Sequence, residues 1–301
     1  MYRLSPKRLL DYRAQTFRLS PNARLRSQEQ AIEYVNQRGF IYFWPIKEVV
    51  LPSLWTAVAG DRPVADAHDD PGHVTWGWKD SLLGARVWYY AKILRKRSTL
   101  ISLEVAPLFY ALSENYGSPD EDYLTIYQQG RMSMETRLVY EALLDKGPMD
   151  TVSLRRATRL TSRESNSRFE RALAELQADF KILPVAVTQA GAWRYAFAYE
   201  AVHRYYPELV EQARFIPETR ARRELVQLYL RSVGAAQTSD LVRLFRWGQE
   251  QVRRACDELI QAGTLYAGVE LMDQPSAESH KTFNRPGEWL ALPELVEAKR
   301  P

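Results

Sequence analysis

An internal repeat is the feature that most restricts how this sequence can fold. In the chain order Leu138, Val139, Leu143, Gly147, Thr151 and Leu154, each residue recurs 87 positions later, as Leu225, Val226, Leu230, Gly234, Thr238 and Leu241. After a slip of four residues the match resumes, and Ala172, Glu175, Leu176 and Ile182 correspond to Ala255, Glu258, Leu259 and Leu265. Each copy predicts a helix, a short helix, a longer basic helix and then extended segments, which is the order of a winged helix-turn-helix.

Apolar spacing and turn residues place the elements of the two copies. In the first copy, helices are predicted at 134–146, 152–159 and 165–179, with Thr151 as the cap of the second and strands at 181–188 and 193–199. In the second copy, helices are predicted at 220–233, 238–245 and 248–262, with strands at 264–271 and 288–292. The polar segment 273–286 joins those two strands, and its tip is predicted to be mobile.

The N-terminal third is less regular. Helices are predicted from Ser5 to about Phe17, with Ser5 as the cap, and from the cap Ser27 to Gly39. The remaining predicted elements are a buried strand at 40–46, a helix at 47–59, a loop at 60–72, a helix at 75–94, a strand at 98–104 and helices at 105–115 and 120–129.

Composition indicates a globular chain of about two or three domains, since 301 residues are 46% hydrophobic and 26% charged. Arginine dominates the positive charge, with 32 Arg against 9 Lys. The arginine fork suits phosphate and guanine edges, although a GC-rich or thermophilic genome would give the same bias. The single Cys256 argues against a disulfide framework or a cysteine metal site. No long apolar run or signal-peptide core is evident, so a cytoplasmic location is expected.

The third helix of each copy carries the side chains that suit nucleic-acid contact, because Arg, Asn and Gln pair bidentately with guanine and adenine edges. These candidates are Arg163, Asn166, Arg168 and Arg171 in the first copy, and Arg246, Gln249, Arg253 and Arg254 in the second. The same residues would also suit a solvated helix face or a protein-binding module. Arg220, Arg222 and Arg223 stand in a first helical turn, where cations are disfavoured. Either an approaching phosphate or pairing with Glu218 or Glu224 explains them.

An aromatic and basic block between Trp76 and Arg97 gives a second group of candidates. Lys79, Arg95 and Arg97 would follow a phosphate backbone, and Trp78 would stack on a base. Aromatic residues at helical spacing also form cores, and that alternative stays open. His68, His73, Asp69 and Asp70 lack the spacing of metal ligands, and no phosphate loop or dinucleotide motif is present. We therefore expect neither metal nor cofactor.

With these segments laid out, the chain resembles the bacterial tandem winged-helix DNA glycosylases of the AlkZ/YcaQ type. The resemblance is clearest at 132–271, in Gly39-Phe40-Ile41-Tyr42-Phe43-Trp44-Pro45-Ile46 with Leu51-Pro52-Ser53-Leu54-Trp55, and in Trp76-Gly77-Trp78-Lys79-Asp80. It implies a mainly α fold with small β wings, in which three tandem winged helix-turn-helix units form a C around DNA. The implied units are residues 1–131, 132–210 and 211–301, the first with an aromatic-rich helical insertion.

The family's catalytic triplet is where this chain departs from the pattern. The family places Gln-hydrophobic-Asp or Gln-hydrophobic-Gln in its N-terminal strand, whereas the corresponding residues here are Tyr42-Phe43-Trp44. Neither tyrosine nor tryptophan acts as a general base near neutral pH. Asp80 and Glu48 are the nearest substitute carboxylates, unless both are surface or ion-paired residues. Tyr42 and Trp44 would stack on a base or lie in the first unit's core.

The sequence thus predicts a DNA-binding protein that contacts double-stranded DNA through arginine and acts in repair or duplex recognition. One alternative is an active base-excision glycosylase that uses Asp80 or Glu48. Another, from a different class, is a winged-helix scaffold that binds protein partners and ignores nucleic acid.

Overall fold

The computed structural model describes residues 2–115, 117–191, 193–272 and 287–298, and they form two compact units. One unit combines residues 1–75 with 219–301, and the other comprises residues 76–218. The predicted N-terminal unit of residues 1–131 is therefore divided between them. The boundaries expected near residues 131 and 210 stay predictions.

Short helices and short strands make up both units. Numbered along the chain, the elements up to residue 128 are β1 (Tyr2–Leu4), α1 (Pro6–Thr16), α2 (Gln28–Arg38), β2 (Phe40–Tyr42), α3 (Leu54–Ala59), α4 (Val74–Leu82), β3 (Tyr89–Lys92), β4 (Ser98–Ile101), α5 (Ala106–Tyr110) and α6 (Asp122–Gln128). The first repeat consists of α7 (Met134–Lys146), β5 (Met149–Asp150), α8 (Thr151–Ala157), α9 (Asn166–Ala178), β6 (Ile182–Thr188) and β7 (Ala196–Ala201). Two short helices follow, α10 (Val202–Tyr205) and α11 (Pro207–Ala213). The second repeat consists of α12 (Glu218–Val233), β8 (Ala235–Ala236), α13 (Thr238–Phe245), α14 (Gln249–Gln261), β9 (Tyr266–Leu271) and β10 (Trp289–Ala291), and β11 (Val296–Ala298) ends the described chain.

The two repeats show the same order of elements, as the sequence predicts. Leu143 and Leu230 are buried at equivalent positions, and so are Leu154 and Leu241. In the first repeat, α7, α8 and α9 share one hydrophobic core, and β6 and β7 form an antiparallel hairpin that β5 extends through β7. The helical period of the apolar residues therefore locates the helices of both copies correctly.

Gly147 and Gly234 occupy equivalent positions in the two repeats, and neither position has room for a side chain. A Cβ atom on Gly147 would lie 2.6 Å from the Leu143 carbonyl oxygen and 2.7 Å from the Glu200 carboxylate. Gly234 has φ +77°, and a Cβ atom there would lie 2.7 Å from a Leu295 methyl carbon. Close packing thus excludes a side chain at both positions, and the left-handed backbone adds to this at the second.

A five-stranded sheet brings the two ends of the described chain together, in the order β11-β1-β9-β10-β8. Arg3 lies opposite Glu297 in the antiparallel pair with β11 and opposite Glu270 in the parallel pair with β9. Leu4 at the end of β1 is fully buried. The N-terminal strand thus has hydrogen-bonded neighbours on both sides, each supplied by the last third of the chain.

Side chains of α1 cap the C-terminus of α12. Arg13 donates from Nε to the Val233 carbonyl and from Nη2 to the Ala235 carbonyl, both at 2.9 Å. Thr16 Oγ1 donates to the Ser232 carbonyl at 2.7 Å. The last four carbonyls of a helix lack partners within it, and a cation is favoured beside them. The buried Arg13 therefore satisfies both requirements at the end of α12.

Several local predictions in the N-terminal third are wrong. The helix predicted at 47–59 begins only at Leu54, because Ser53, just after Pro52, caps it by accepting a hydrogen bond from the Thr56 amide. The helix predicted at 75–94 ends at Leu82, and β3 follows it, paired with β4. Aromatic residues favour strands when a neighbouring strand is present, which helical spacing alone does not reveal.

The caps of two helices also differ from the predictions. Asp150, rather than Thr151, is the N-cap of α8, since its carboxylate accepts hydrogen bonds from the amides of Val152 and Ser153. Ser5 precedes α1 without a side-chain capping bond, whereas Ser27 caps α2 as predicted. The segment 273–286 lies outside the described residues. No helix within the described ranges combines the length and apolarity needed to cross a membrane.

We predict that Arg13→Ala lowers the free energy of unfolding by about 2–4 kcal/mol, because two carbonyls lose a charged donor. Urea unfolding followed by circular dichroism measures the change. Lys7→Ala is the matched control on the same helix, since Lys7 pairs with Asp11 at the surface and such pairs contribute little. Equal effects of the two substitutions would contradict the capping role of Arg13.

Candidate nucleic-acid interface and the Lys79 cluster

The four candidates near and on α9 are exposed, as nucleic-acid contact requires. Arg168 pairs through Nη1 with Glu135 Oε1 at 2.8 Å. Asn166 accepts a hydrogen bond from Arg155, whose guanidinium also lies over the Phe169 ring. Within the described ranges, Arg163 and Arg171 have no ion-pair partner. These two guanidinium groups are therefore available to an external anion.

The candidates on α14 are instead paired along their own helix. Glu250 Oε1 contacts Arg253 Nη2 and Arg254 Nε, each at 2.8 Å. Arg253 Nη1 also pairs with Asp257 at 3.0 Å. Hydrogen bonds from Arg254 and then from Arg253 lower the pKa of Glu250. The carboxylates oppose the positive potential on this face, while exposed pairs of this kind exchange partners at little cost.

The remaining candidates in the second repeat are divided between exposed and paired residues. Arg246, at the end of α13, and Gln249, at the start of α14, are exposed. Arg220 bonds to Glu224 at 2.7 Å, and Arg223 contacts Glu258 at 3.3 Å. Pairing with Glu224 thus accounts for the position of Arg220. Such pairing is one of the two explanations that the sequence leaves open.

Net charge also differs between the repeats. Residues 151–171 contain six arginines and two glutamates, a balance of +4. The matching residues 238–254 contain four arginines and two acidic residues, a balance of +2. Residues 151–171 of the first repeat therefore attract a polyanion more strongly than residues 238–254 of the second.

The turn between β6 and β7 carries a functional candidate that the sequence analysis misses. The Trp193 side chain is 92% exposed, and Arg194 and Tyr195 beside it are exposed too. The sequence analysis places Trp193 at the start of a strand, whereas β7 begins only at Ala196. The available signal is its position two residues after Gly191, beside the turn residues Gln189-Ala190-Gly191, where large apolar side chains lack a packing surface.

The residues proposed for stacking lie deeper than Trp193. Tyr42 is fully buried in β2 and Trp78 is 8% exposed on α4, whereas Trp44 is half-buried. Stacking by Tyr42 or Trp78 on a base would require the ring to leave its packing. The alternative assignment of these rings to the core agrees with their burial.

A buried lysine, a carboxylate and a tyrosine meet beside α4, and we call Lys79, Asp80 and Tyr195 the Lys79 cluster. Lys79 Nζ donates to Asp80 Oδ1 and, at 3.1 Å, to Tyr195 Oη. The Tyr195 hydroxyl donates to Asp80 Oδ1 at 3.0 Å, which closes the triangle. The ring centroids of Phe197 and Tyr90 lie 4.5 and 5.3 Å from Lys79 Nζ.

The surroundings of this cluster change the proton affinity of its members. Burial lowers the pKa of the Lys79 ammonium, and the hydrogen bond to Asp80 opposes this. Burial, followed by the charge of Asp80, raises the pKa of Tyr195. The Asp80 side chain is 23% exposed, whereas that of Lys79 is 4% exposed. The cluster therefore presents its carboxylate toward solvent and keeps its amine behind it.

The other catalytic candidate and the two remaining basic candidates lie elsewhere. Glu48 is exposed at φ +64°, and its carbonyl oxygen accepts a hydrogen bond from Arg243 Nη1 at 3.4 Å. Arg95 is half-buried and Arg97 is exposed. In the described part of the chain, no group of three or more His, Cys, Asp or Glu side chains has the proximity to hold a metal ion.

Repeated helical modules with small hairpins and an arginine-rich face define a class of mainly helical modular proteins. A family model described as AlkZ-related matches residues 25–246, and the chain therefore belongs to the AlkZ-related family. The solved structure of Streptomyces sahachiroi DNA glycosylase AlkZ is similar in fold, with a TM-score of 0.57 and 14% sequence identity. The similarity covers 97% of this chain and 71% of that protein. The search of curated proteins found no match.

We predict that Tyr195→Phe lowers the free energy of unfolding by about 1 kcal/mol, because the cluster loses the hydroxyl that joins Lys79 to Asp80. Chemical denaturation with fluorescence detection gives the value. Trp193→Phe serves as the control from the same turn, since its side chain makes little contact with the protein. An unchanged stability in Tyr195→Phe would show that the hydroxyl contributes nothing to the fold.

Proposed function

We propose that this protein binds double-stranded DNA and acts in DNA repair, as a member of the AlkZ-related family built from three tandem winged helix-turn-helix units in a C-shaped arrangement. The repeated order of elements supports two of these units. The name of the structurally similar AlkZ, a DNA glycosylase, supports the assignment to repair. We place the principal DNA contact on the first repeat.

The guanidinium groups of Arg163 and Arg171, which are exposed and have no ion-pair partner among the described residues, carry this proposal. Arg163 lies just before α9 and Arg171 lies in its first half, and the third helix of a winged helix-turn-helix contacts the major groove with its N-terminal residues. The hairpin of the same repeat presents Trp193 and Arg194 to solvent. An arginine and an aromatic ring at a hairpin tip suit contact with phosphate and with an unstacked base. On the equivalent helix α14, Arg253 and Arg254 are less available to an external anion, because they form ion pairs with Glu250 and Asp257.

We predict that Arg163→Gln with Arg171→Gln weakens duplex binding and reduces the slope of log affinity against log salt by roughly 2, one for each lost phosphate contact. Filter binding of the full-length protein to a labelled duplex at several salt concentrations measures both quantities. The matched variant Arg253→Gln with Arg254→Gln removes the same charge from α14, and we expect it to have the smaller effect.

Two results of that titration would contradict the proposal. An equal or larger loss in the α14 variant would move the principal contact to the second repeat. No duplex affinity in the unaltered protein would overturn DNA binding and favour the protein-binding scaffold.

Base excision is a second candidate function, which the partly exposed carboxylate of Asp80 favours. A carboxylate is able to position a water molecule and to stabilise positive charge that develops on the sugar. Two hydrogen-bond donors, Lys79 and Tyr195, fix the Asp80 carboxylate in place. Glu48 lacks comparable support, because its described contact is through the backbone carbonyl.

We predict that, if the protein excises bases, Asp80→Asn lowers free-base release from alkylated duplex at least about 100-fold, in line with the contribution of a general acid or base. Chromatography of the released bases measures this rate. Glu48→Gln is the control carboxylate change and is expected to retain the rate. The reverse ranking would assign the chemistry to Glu48, and no release by the unaltered protein would leave DNA binding without excision.

A further inference from the structure

The amine of Lys79 is a reactive group that the proposed base excision uses only to hold the Asp80 carboxylate in place. Its side chain is 4% exposed, so it is poorly placed to neutralise a phosphate. Three aromatic rings lie within 6 Å of Nζ, those of Phe197, Tyr90 and Tyr195. Enclosure of this kind removes water from an amine, and a desolvated lysine is a nucleophile toward carbonyl carbon.

The groups around Lys79 are those that an amine–carbonyl reaction requires. Asp80 Oδ1 contacts the amine, and the Asp80 side chain is partly exposed, so a carboxylate base lies next to the nucleophile. The Tyr195 hydroxyl lies 3.1 Å from Nζ and supplies a proton donor. Burial lowers the pKa of Lys79, which increases the neutral fraction of the amine.

A second buried lysine shows what distinguishes this site. Lys181 is 1% exposed, and its Nζ donates to Asn115 Oδ1 at 2.8 Å. It lies over the Tyr140 ring, with Nζ 5.7 Å from the ring centroid. Its closest described polar partner is thus a neutral amide, without a carboxylate base in hydrogen-bond contact. Burial is common to both lysines, but the adjoining carboxylate and phenol belong to Lys79.

We propose that Lys79 forms an imine with the aldehyde of an abasic site in DNA, which makes the protein an abasic-site lyase. This inference rests on the proposed DNA function, because an abasic site is what base excision leaves behind. The substrate class is a ring-opened deoxyribose aldehyde within a duplex. Tyr195, which is 43% exposed and covers the amine, marks the entrance.

The proposed reaction balances without an oxidant or a reductant. The Nζ lone pair of the neutral amine attacks C1′ and forms a carbon–nitrogen bond. The carbonyl oxygen takes up one proton from the amine nitrogen and one from the Tyr195 hydroxyl, and water departs to leave a protonated imine. The Asp80 carboxylate then removes a proton from C2′. The electron pair of that bond forms a carbon–carbon double bond, and the C3′–O3′ bond breaks with the phosphate as leaving group. Water finally hydrolyses the imine and restores the Lys79 amine.

Borohydride trapping tests this proposal on the full-length protein. The substrate is a labelled duplex with one abasic site, and borohydride reduces the imine to a stable covalent adduct. We expect a protein–DNA adduct that peptide mass spectrometry places on Lys79, and a loss of at least tenfold in Lys79→Gln. Lys92→Gln, a change on the adjacent strand β3 and outside the cluster, is expected to retain the adduct. Trapping is expected to increase with pH, as the Lys79 ammonium loses its proton.

Two further variants separate the steps and guard against misfolding. Asp80→Asn is expected to retain the adduct and to slow strand cleavage, because it removes only the base for the elimination. Tyr195→Phe keeps the ring and removes the proton donor, so we expect slower trapping in a protein that still unfolds in one cooperative transition, well above the assay temperature. These results would attribute the loss in Lys79→Gln to chemistry rather than to unfolding.

The outcomes distinguish failure of this inference from failure of DNA binding. A protein that binds the abasic duplex but gives no adduct, or an adduct on another lysine or on the α-amine, overturns the lyase proposal alone. Should duplex binding be absent, trapping with free 2-deoxyribose 5-phosphate decides the matter. An adduct on Lys79 then supports the assignment of Lys79 as the nucleophile, and the absence of an adduct overturns that assignment.

Discussion

The insertion of β1 between β9 and β11 is the constraint on which one compact unit depends. Two main-chain ladders hold this strand, one parallel and one antiparallel, and the helix that follows it caps the end of α12. Each contact satisfies backbone groups that would otherwise lose hydrogen bonds on burial. The second repeat therefore does not complete its sheet alone. It relies on residues from the other end of the chain, which explains why residues 1–75 belong to the same compact unit.

Duplication gives the two repeats a common scaffold while their surfaces differ. The buried leucines and the close-packed glycines occupy equivalent positions, so the core imposes the same requirements on both copies. Exposed positions are under no such constraint. On α14, Glu250 and Asp257 engage the arginines, whereas on α9 Arg171 has no ion-pair partner in the described structure. One helix is thereby suited to an external anion and the other to its own internal pairing.

Local patterns predicted the repeats well and the N-terminal third poorly. Met134–Lys146 and Thr238–Phe245 agree with the predicted bounds, because apolar period and nearby end signals determine such helices within a few residues. The aromatic run after Leu82 was assigned to a helix, although Tyr89–Lys92 is a strand that depends on pairing with β4. Local patterns do not predict the Lys79 cluster either. Tyr195 is 116 residues from Lys79, and no periodicity within the chain relates positions so far apart.

The interleaved strand order also governs the sequence of events during synthesis. The ribosome makes Tyr2–Leu4 long before the two strands that pair with it, Tyr266–Leu271 and Val296–Ala298. At about 5–20 residues per second the early strand waits roughly 15–50 s with its edges open. The unit formed by residues 76–218, by contrast, is continuous in the chain, so the segments that form its internal contacts are made one after another. In a nascent chain of this protein, β1 thus remains without its two neighbouring strands until β9 and β11 have been made.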